Sequence, residues 1–196
     1  MMYTVGRFLS FLFLKLFVRL KARGQEHIPA SGGFILASNH ASNLDPVVLG
    51  VVCTKPLHFM AKEELFRNRF FGWILRSVNA FPLRRHGADT AAIKEAIRRV
   101  RRGGGLLIFP EGTRSVDGKL GPALEGVGFL AEKLKCPVIP AYVKGTERAL
   151  PKGAKFIRPA TISVVFGEPI FEERRVAYSD VVFSVMEAIK RLSCPQ

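Results

Sequence analysis

The stretch GFILASNHASNLDP, residues 33–46, places an apolar run, a polar turn and a helix start next to one another. Gly33 to Ser38 is a short apolar run of the kind that forms a buried strand. Ser42 and Asn43 suit a turn, and Pro46 stands at the favoured start of a helix that opens at Asp45. The stretch therefore predicts a strand, a turn and a helix, with polar side chains where the strand ends.

The rest of the chain repeats this alternation of strands and helices. Further strands are predicted at Leu57–Ala61, Leu106–Pro110, Val138–Val143 and Thr161–Phe166, and helices at Lys62–Ser77, Asp89–Arg102, Leu124–Leu134 and Tyr178–Leu192. Such alternation is typical of a sheet covered by helices on both faces. We predict one α/β domain over residues 24–196, with a mixed, largely parallel central sheet.

Composition restricts the class of partner. The 196 residues include 30 Lys and Arg against 16 Asp and Glu, a net charge of +14, which indicates an anionic partner. A nucleic-acid-binding module would interleave aromatic and basic residues, but most of the 16 Phe stand beside Leu and Ile. We expect a lipid surface and no nucleic acid. The three cysteines lie in or beside apolar runs, so we expect buried thiols.

Residues 1–23 are predicted to be an amphipathic helix that anchors the protein. The run from Val5 to Leu20 is apolar but is interrupted by charged residues, and Lys15 breaks it well short of the ~20 residues of a spanning helix. On a helical wheel one face carries Leu9, Leu12, Phe13, Leu16, Phe17 and Leu20. Such a helix lies in the interface of an anionic membrane. A core helix and a tilted span are the alternatives.

His40 and Asp45 are the first candidate site. The two can meet only if the backbone turns between them, as Ser42 and Asn43 allow. A carboxylate on one ring nitrogen would leave the other free to take a proton, as in hydrolytic triads but without a protein nucleophile. Alternatively, Asp45 is a helix N-cap and His40 an ordinary loop histidine.

FPEGTRS, residues 109–115, is the second candidate site and follows another apolar strand. Loops at strand ends are where α/β sheets bind ligands. Gly112 lets the backbone approach a ligand, Arg114 offers a bidentate fork to phosphate, and Glu111 can orient a hydroxyl or the arginine. A turn with a surface ion pair is the alternative.

Together, NHxxxxD at residues 39–45 and FPEGTRS resemble the glycerolipid acyltransferases, most closely the bacterial 1-acyl-glycerol-3-phosphate acyltransferases. Two weaker blocks, NAFPLRR at 79–85 and VIPAYV at 138–143, follow the family's order. The resemblance implies that His40 is the general base and Asp45 its orienting partner. It also implies an acceptor-phosphate site; the residues that match it are Arg85, Glu111, Gly112, Thr113 and Arg114.

The chain departs from the family pattern at three points. Asn79 replaces the usual Gly, Arg84 stands where an acidic residue is common, and Ala123-Leu124-Glu125 lacks an expected cation. Arg84, Lys119 or Lys144 could supply that charge, and Arg84 and Lys144 are further candidates for phosphate contacts. The identity of the acceptor depends on these positions.

The resemblance further implies transfer of a fatty acyl group to the free hydroxyl of 1-acyl-sn-glycerol 3-phosphate, giving phosphatidic acid in phospholipid biosynthesis. Acyl carrier protein or coenzyme A would carry the donor thioester, at the cytoplasmic face of the cell membrane. Glycerol 3-phosphate, an ornithine lipid and another lysophospholipid are alternative acceptors. No cofactor is expected, and no metal, because the four histidines share no ligand spacing.

Overall fold

Strands and helices alternate along nearly the whole chain. A computed structural model of the protein describes residues 2–84, 89–115, 120–171 and 177–194. The elements are α1 Met2–Phe17, β1 Val18–Arg23, β2 Phe34–Ser38, α2 Asp45–Val52, β3 Leu57–Lys62, α3 Arg69–Ser77, β4 Ala80–Leu83, α4 Thr90–Arg101, β5 Gly105–Ile108, α5 Gly126–Leu134, β6 Val138–Lys144, α6 Thr146–Ala149, β7 Ala160–Phe166 and α7 Tyr178–Ser193.

The sheet has seven strands in the order β1-β7-β6-β2-β5-β3-β4. The strands β6, β2, β5, β3 and β4 are parallel to one another. The strand β7 is antiparallel to β6, and β1 is parallel to β7. The predicted mixed, largely parallel sheet is confirmed. Its central strand β2 is buried along its whole length, as a strand with helices on both faces must be.

The core has two layers, one on each face of the sheet. On the first face, α1, α2 and α6 bury Leu14, Val48, Leu49 and Ala149 against the strands. On the second face, α4, α5 and α7 contribute apolar residues; these are Ala92, Ala96, Val100, Val127, Leu130, Val181, Val185 and Ile189. The side chains of β2 alternate between the layers, so this strand ties both halves of the core together.

The predicted helix over residues 1–23 is too long. The helix α1 ends at Phe17, and residues 18–23 form the edge strand β1, paired with β7 from Val18 opposite Ala160 to Arg23 opposite Val165. The stretch VRLKAR alternates apolar and basic residues, and this period of two is the signature of a half-buried strand. A helical wheel places Leu20 on the apolar face of the helix and does not show the period of two in residues 18–23.

The helix α1 turns its polar side toward the domain. The hydroxyl of Tyr3 accepts a hydrogen bond from the amide of Leu57 at 3.0 Å, and Nε of Arg7 donates to the carbonyl of Val51 at 3.1 Å. Only Leu14 is buried. The outward side is apolar; its large exposed side chains are Met2, Val5, Phe8, Leu9, Phe11, Leu12, Phe13, Leu16 and Phe17. Within the described ranges, no helix has the length and apolar character needed to cross a bilayer.

Two further expectations need correction. The predicted helix Lys62–Ser77 is a 3-10 turn at Glu63–Phe66 followed by α3, because Asn68 caps α3 by accepting from the amide of Phe71 at 3.0 Å. Of the thiols expected to be buried, Cys53 is buried and Cys136 is half-buried, but Cys194 is exposed because it follows the last turn of α7.

Close packing of α5 on α7 predicts a sharp difference between two glycines of α5. A Cβ on Gly128 would overlap the backbone carbonyl of Tyr178, whereas a Cβ on Gly126 would meet nothing within 4 Å. We expect Gly128→Ala to lower the free energy of unfolding by about 1–3 kcal/mol, because backbone cannot move aside cheaply. Gly126→Ala should be neutral or stabilise by ~0.4–1 kcal/mol. Urea unfolding of both variants tests this, and equal midpoints would contradict the described packing.

Candidate active site

The two candidate motifs meet at one edge of the sheet. His40 follows β2 and Glu111 follows β5, and these strands are parallel neighbours. The carboxyl ends of both strands therefore lie side by side, at the edge where α/β sheets bind ligands. Asp45 reaches the same place because it opens α2 directly after the turn.

Asp45 holds the ring of His40 directly. Its Oδ2 lies 2.8 Å from Nδ1 of His40 and also accepts from the amides of Ala41 at 2.7 Å and Ser42 at 2.8 Å. The carboxylate is fully buried, and the His40 side chain is 16% exposed. Because a carboxylate only accepts, Nδ1 carries the proton and Nε2 is left as an acceptor. The helix N-cap is Leu44, so the alternative of Asp45 as an N-cap is wrong.

A second contact fixes the plane of the imidazole. The ring stacks on Phe109, with centroids 3.9 Å apart and planes 12° apart. Phe109 comes from the end of β5, so two separate elements orient one ring. No residue of the described ranges hydrogen-bonds Nε2. This nitrogen is thus held in a defined direction with its lone pair available.

The FPEGTRS loop clamps the backbone of His40 on both sides. The amide of His40 donates to Oε1 of Glu111 at 3.2 Å, and the amide of Ser115 donates to the carbonyl of His40 at 2.8 Å. The other oxygen of Glu111, Oε2, accepts from the amide of Gly121 at 2.8 Å. Glu111 is buried. Both of its oxygens are thus occupied by backbone amides, and the carboxylate ties three chain segments together.

Gly112 makes the turn that returns the chain to His40. Its φ is +67°, a left-handed conformation that glycine adopts at little cost. A Cβ there would also lie 2.6 Å from Cδ1 of Leu124. After this turn Thr113 is exposed and Arg114 half-buried, next to the Ser115 amide that holds His40. The guanidinium of Arg114 is therefore carried on the segment that touches the histidine.

The remaining candidates for phosphate contacts are not part of the loop that holds His40. Arg85 and Lys119 lie outside the described residues. The side chain of Arg84 is mostly exposed and lies 3.7 Å from Asp89, whose pKa is lowered chiefly by hydrogen bonds from the amides of Arg84 and Ala92. Lys144 is exposed at the carboxyl end of β6, one residue beyond Val143.

Asn79 explains one departure from the family pattern. Its φ is +67°, the left-handed region that Asn tolerates better than most residues. Its carbonyl accepts from Nη1 of Arg99 at 2.9 Å, and the same nitrogen lies 3.0 Å from Nδ1 of His58. Burial and then the Arg99 charge lower the pKa of His58 to about 4. His58 is therefore a neutral, structural histidine at neutral pH.

Sequence reasoning missed two residues beside the site. The buried amide of Asn39 accepts from the Val143 amide at 2.7 Å and donates to its carbonyl at 2.9 Å, which fixes the end of β2 to β6. Tyr142 is half-buried, and desolvation, followed by the charges of Glu147 and Glu111, raises its pKa. An Asn directly after a buried strand could have signalled the first. Among the described residues, no three His, Cys, Asp or Glu are grouped as a metal site.

Known proteins share both the sequence pattern and the fold. The family model Acyltransferase matches residues 19–144. A 1-acyl-sn-glycerol-3-phosphate acyltransferase of Bacillus subtilis is 31% identical over 154 residues, which is 78% of this chain and 74% of the relative. One of Streptococcus pneumoniae is 37% identical over 140 residues, 70% of this chain and 50% of that relative. This chain thus spans about half the length of the second protein.

A solved structure extends the likeness to the whole fold. The crystal structure of the 1-acyl-sn-glycerophosphate (LPA) acyltransferase PlsC of Thermotoga maritima superposes with a TM-score of 0.83 at 26% identity, covering 96% of this chain and 77% of that one. The family match covers more than half of the chain and includes both the strand that precedes His40 and the loop that clamps it. By its sequence and its fold, the chain belongs to the acyltransferase family.

Proposed function

We propose that this acyltransferase moves a fatty acyl chain from a thioester donor to the free hydroxyl of 1-acyl-sn-glycerol 3-phosphate, giving phosphatidic acid for phospholipid synthesis. The observation that carries the proposal is the 2.8 Å contact between Nδ1 of His40 and the buried carboxylate of Asp45. The names of the relatives, which state this acceptor, support the choice of substrate.

In the proposed reaction Nε2 of His40 takes the proton of the acceptor hydroxyl as its oxygen attacks the thioester carbonyl carbon. A tetrahedral intermediate forms and collapses, the carbon–sulfur bond breaks, and the imidazolium returns the proton to the departing thiolate. Asp45 stabilises the imidazolium through Nδ1–H. The acyl group thus passes directly from sulfur to oxygen, and His40 ends in its starting protonation state.

Direct transfer is favoured over a covalent acyl-enzyme. Two hydroxyls lie two residues from His40 in the sequence. That of Ser38 is buried and donates to Oδ1 of Asn39 at 3.4 Å. That of Ser42 donates to the carbonyl of Leu150 at 2.8 Å and accepts from the Leu44 amide at 3.2 Å. A serine held in this way supports the backbone turn. Among the described residues no hydroxyl or thiol is hydrogen-bonded to the ring, so the acceptor hydroxyl itself occupies the position that a catalytic serine has in hydrolytic triads.

The acceptor phosphate is proposed to bind on the loop after β5. Arg114 offers the bidentate fork, Gly112 and Thr113 present backbone and hydroxyl groups, and Arg85 supplies a second guanidinium. Arg84 and Lys144 are secondary contacts. Glu111 contributes by holding the loop in place, since both its oxygens already accept from backbone amides.

We further propose that α1 and α3 rest in the interface of an anionic membrane on its cytoplasmic side. The outward apolar side of α1 includes Phe8, 62% exposed, and Leu16, 75% exposed. The neighbouring helix α3 exposes Phe70, Phe71 and Trp73 beside its arginines. Exposing apolar surface of this extent to water is costly. In a membrane interface the apolar side chains would contact lipid acyl chains, and the neighbouring cations would contact anionic headgroups. The acceptor lipid would then enter the site from the bilayer.

The donor thioester is proposed to be carried by acyl carrier protein or by coenzyme A, and no cofactor is required. A detergent assay that pairs both donors with 1-acyl-glycerol 3-phosphate, glycerol 3-phosphate, lyso-ornithine lipid and other lysophospholipids tests the reaction. Formation of phosphatidic acid as the main product is the expected result. Transfer to none of these acceptors would overturn the proposal, and preference for another acceptor would reassign the substrate.

His40→Ala is expected to lower kcat by ~10²–10⁴-fold, the usual contribution of a positioned base. Asp45→Asn should also reduce kcat, because an amide keeps the turn but loses the charge that stabilises the imidazolium. Asp89→Asn is the matched control: Asp89 is a true N-cap of α4, where Asn substitutes well. Turnover of the His40 variant within about threefold of the unmodified protein would remove His40 from the mechanism.

Arg114→Lys is expected to raise the KM for the acceptor several-fold and leave the KM for the donor nearly unchanged. Lysine keeps the charge but loses the planar fork that matches phosphate. The control is Arg148→Lys, an exposed arginine on α6 paired at 3.6 Å with Glu147. Steady-state kinetics with each substrate varied in turn provide the measurement. An equal rise in both KM values would show that Arg114 does not contact the acceptor phosphate.

Replacing Phe8, Leu12 and Leu16 by Ser should release the protein from phosphatidylglycerol-containing vesicles, since each apolar side chain contributes ~1.5–3 kcal/mol when fully desolvated. All three are exposed, so thermal stability should not fall. Serines at the exposed Phe156, Phe171 and Phe183 provide the control. Vesicle sedimentation at low and high salt is the readout. Salt should weaken attachment without abolishing it, and equal loss in both triple variants would contradict the role of α1.

A further inference from the structure

The outer edge of the sheet carries a row of cations, the β1 basic face, made of Arg19, Lys21 and Arg23. Side chains alternate along a strand, so these three point to one side while Val18 and Leu20 pack into the first core layer. All three are exposed. Residues two apart on a strand are separated by roughly 6.6 Å, so the row extends over ~13 Å on a rigid element.

The β1 basic face continues onto the neighbouring strands. Lys21 pairs with Ser163 of β7, and Ser163 pairs with Lys144 of β6, so the three form one row across the sheet. The helix α7 covers β6 on this side, whereas Thr161, opposite Arg19, is exposed. In the described ranges no carboxylate lies within 4 Å of these cations. The face therefore carries uncompensated positive charge.

This charge lies at the same edge as the candidate active site. Lys144 directly follows Val143, whose carbonyl accepts a hydrogen bond from the side chain of Asn39. Asn39 in turn directly precedes His40. The strand β1 begins at this edge, with Val18 opposite Ala160. Three strand spacings of ~4.8 Å separate β1 from β2, so the row lies on the order of 14 Å from the strand that carries His40.

The β1 basic face and the helix α1 lie on opposite faces of the sheet. Leu14 of α1 packs on the first face of the sheet, with Val18 of β1. Arg19, Lys21 and Arg23 project from the second face, where Tyr142 contacts the other core layer. A bilayer resting on α1 would lie beyond the first face. The cations on the second face are therefore left for a partner that approaches from water.

We propose that the β1 basic face docks an acidic acyl-carrier protein, which delivers the acyl chain to His40 on its flexible thiol arm. This inference rests on the proposed acyl transfer and specifies the donor. Three cations fixed along ~13 Å of strand match a row of carboxylates on a folded protein. The phosphates of a coenzyme A thioester form a more compact group, which does not require a row of cations of this length.

The test replaces Arg19, Lys21 and Arg23 together by Gln in the full chain, which retains side-chain length and removes three charges. Lys94, Arg101 and Arg102, exposed on or beside α4, are replaced by Gln as the matched control. Both proteins are assayed in non-ionic detergent with the same acyl chain on carrier protein or on coenzyme A. The KM for the carrier-protein donor should rise by about tenfold or more in the β1 variant alone. The KM for the coenzyme A donor should change less than about twofold in both.

Direct binding separates this inference from the proposed function. Titration of unacylated carrier protein into the enzyme should show binding that is weaker in the β1 variant, whether or not acyl transfer is detected. Absence of binding to the unmodified enzyme, with transfer from coenzyme A intact, would overturn the docking inference and leave the reaction standing. An equal rise in the KM for both donors in the β1 variant would overturn the docking inference as well. Loss of phosphatidylglycerol-vesicle binding with an unchanged carrier KM would assign the face to the membrane.

Discussion

The structure depends on one buried carboxylate. Asp45 is fully buried, and its Oδ2 accepts from the ring of His40 and from the amides of Ala41 and Ser42. Burying an unpaired charge is costly, so the carboxylate requires these donors and the turn must close around it. The same three hydrogen bonds fix the end of β2, the start of α2 and the direction of the imidazole. Folding of this corner and assembly of the candidate active site are therefore one event.

The clamp from the neighbouring loop makes the corner rigid. Glu111 and Ser115 hold the amide and the carbonyl of His40, and Phe109 lies against its ring. All three come from the segment after β5, and the strand β5 itself is hydrogen-bonded to β2. His40 is thus positioned by contacts made at every one of its polar groups except Nε2. If a hydroxyl binds at Nε2 as proposed, a ring held in this way loses little entropy on binding, which is the advantage of prior organisation.

Much of this could be predicted from local sequence. The apolar run before His40 and the turn residues after it showed that histidine and aspartate could meet, and the family resemblance then favoured this pairing over the alternative of an N-cap. The clamp could not be predicted, because it depends on β5 lying next to β2, and strand order is a non-local property. The edge strand β1 was missed for a different reason: its alternation follows an apolar helix without a break. Asn79 stands where the family pattern has Gly, and its left-handed φ is one that Gly adopts freely and Asn tolerates.

The pairing of β1 with β7 joins residues 18–23 to residues 160–165. During synthesis, the edge strand β1 must remain unpaired until its partner β7 has left the ribosome, after most of the other strands. Contacts of such long sequence separation are slow to form, because a large loop has to close first. In contrast, β2 can pair with β5 much earlier in synthesis. The sheet is therefore expected to grow outward from its centre and to be completed when β1 pairs with β7.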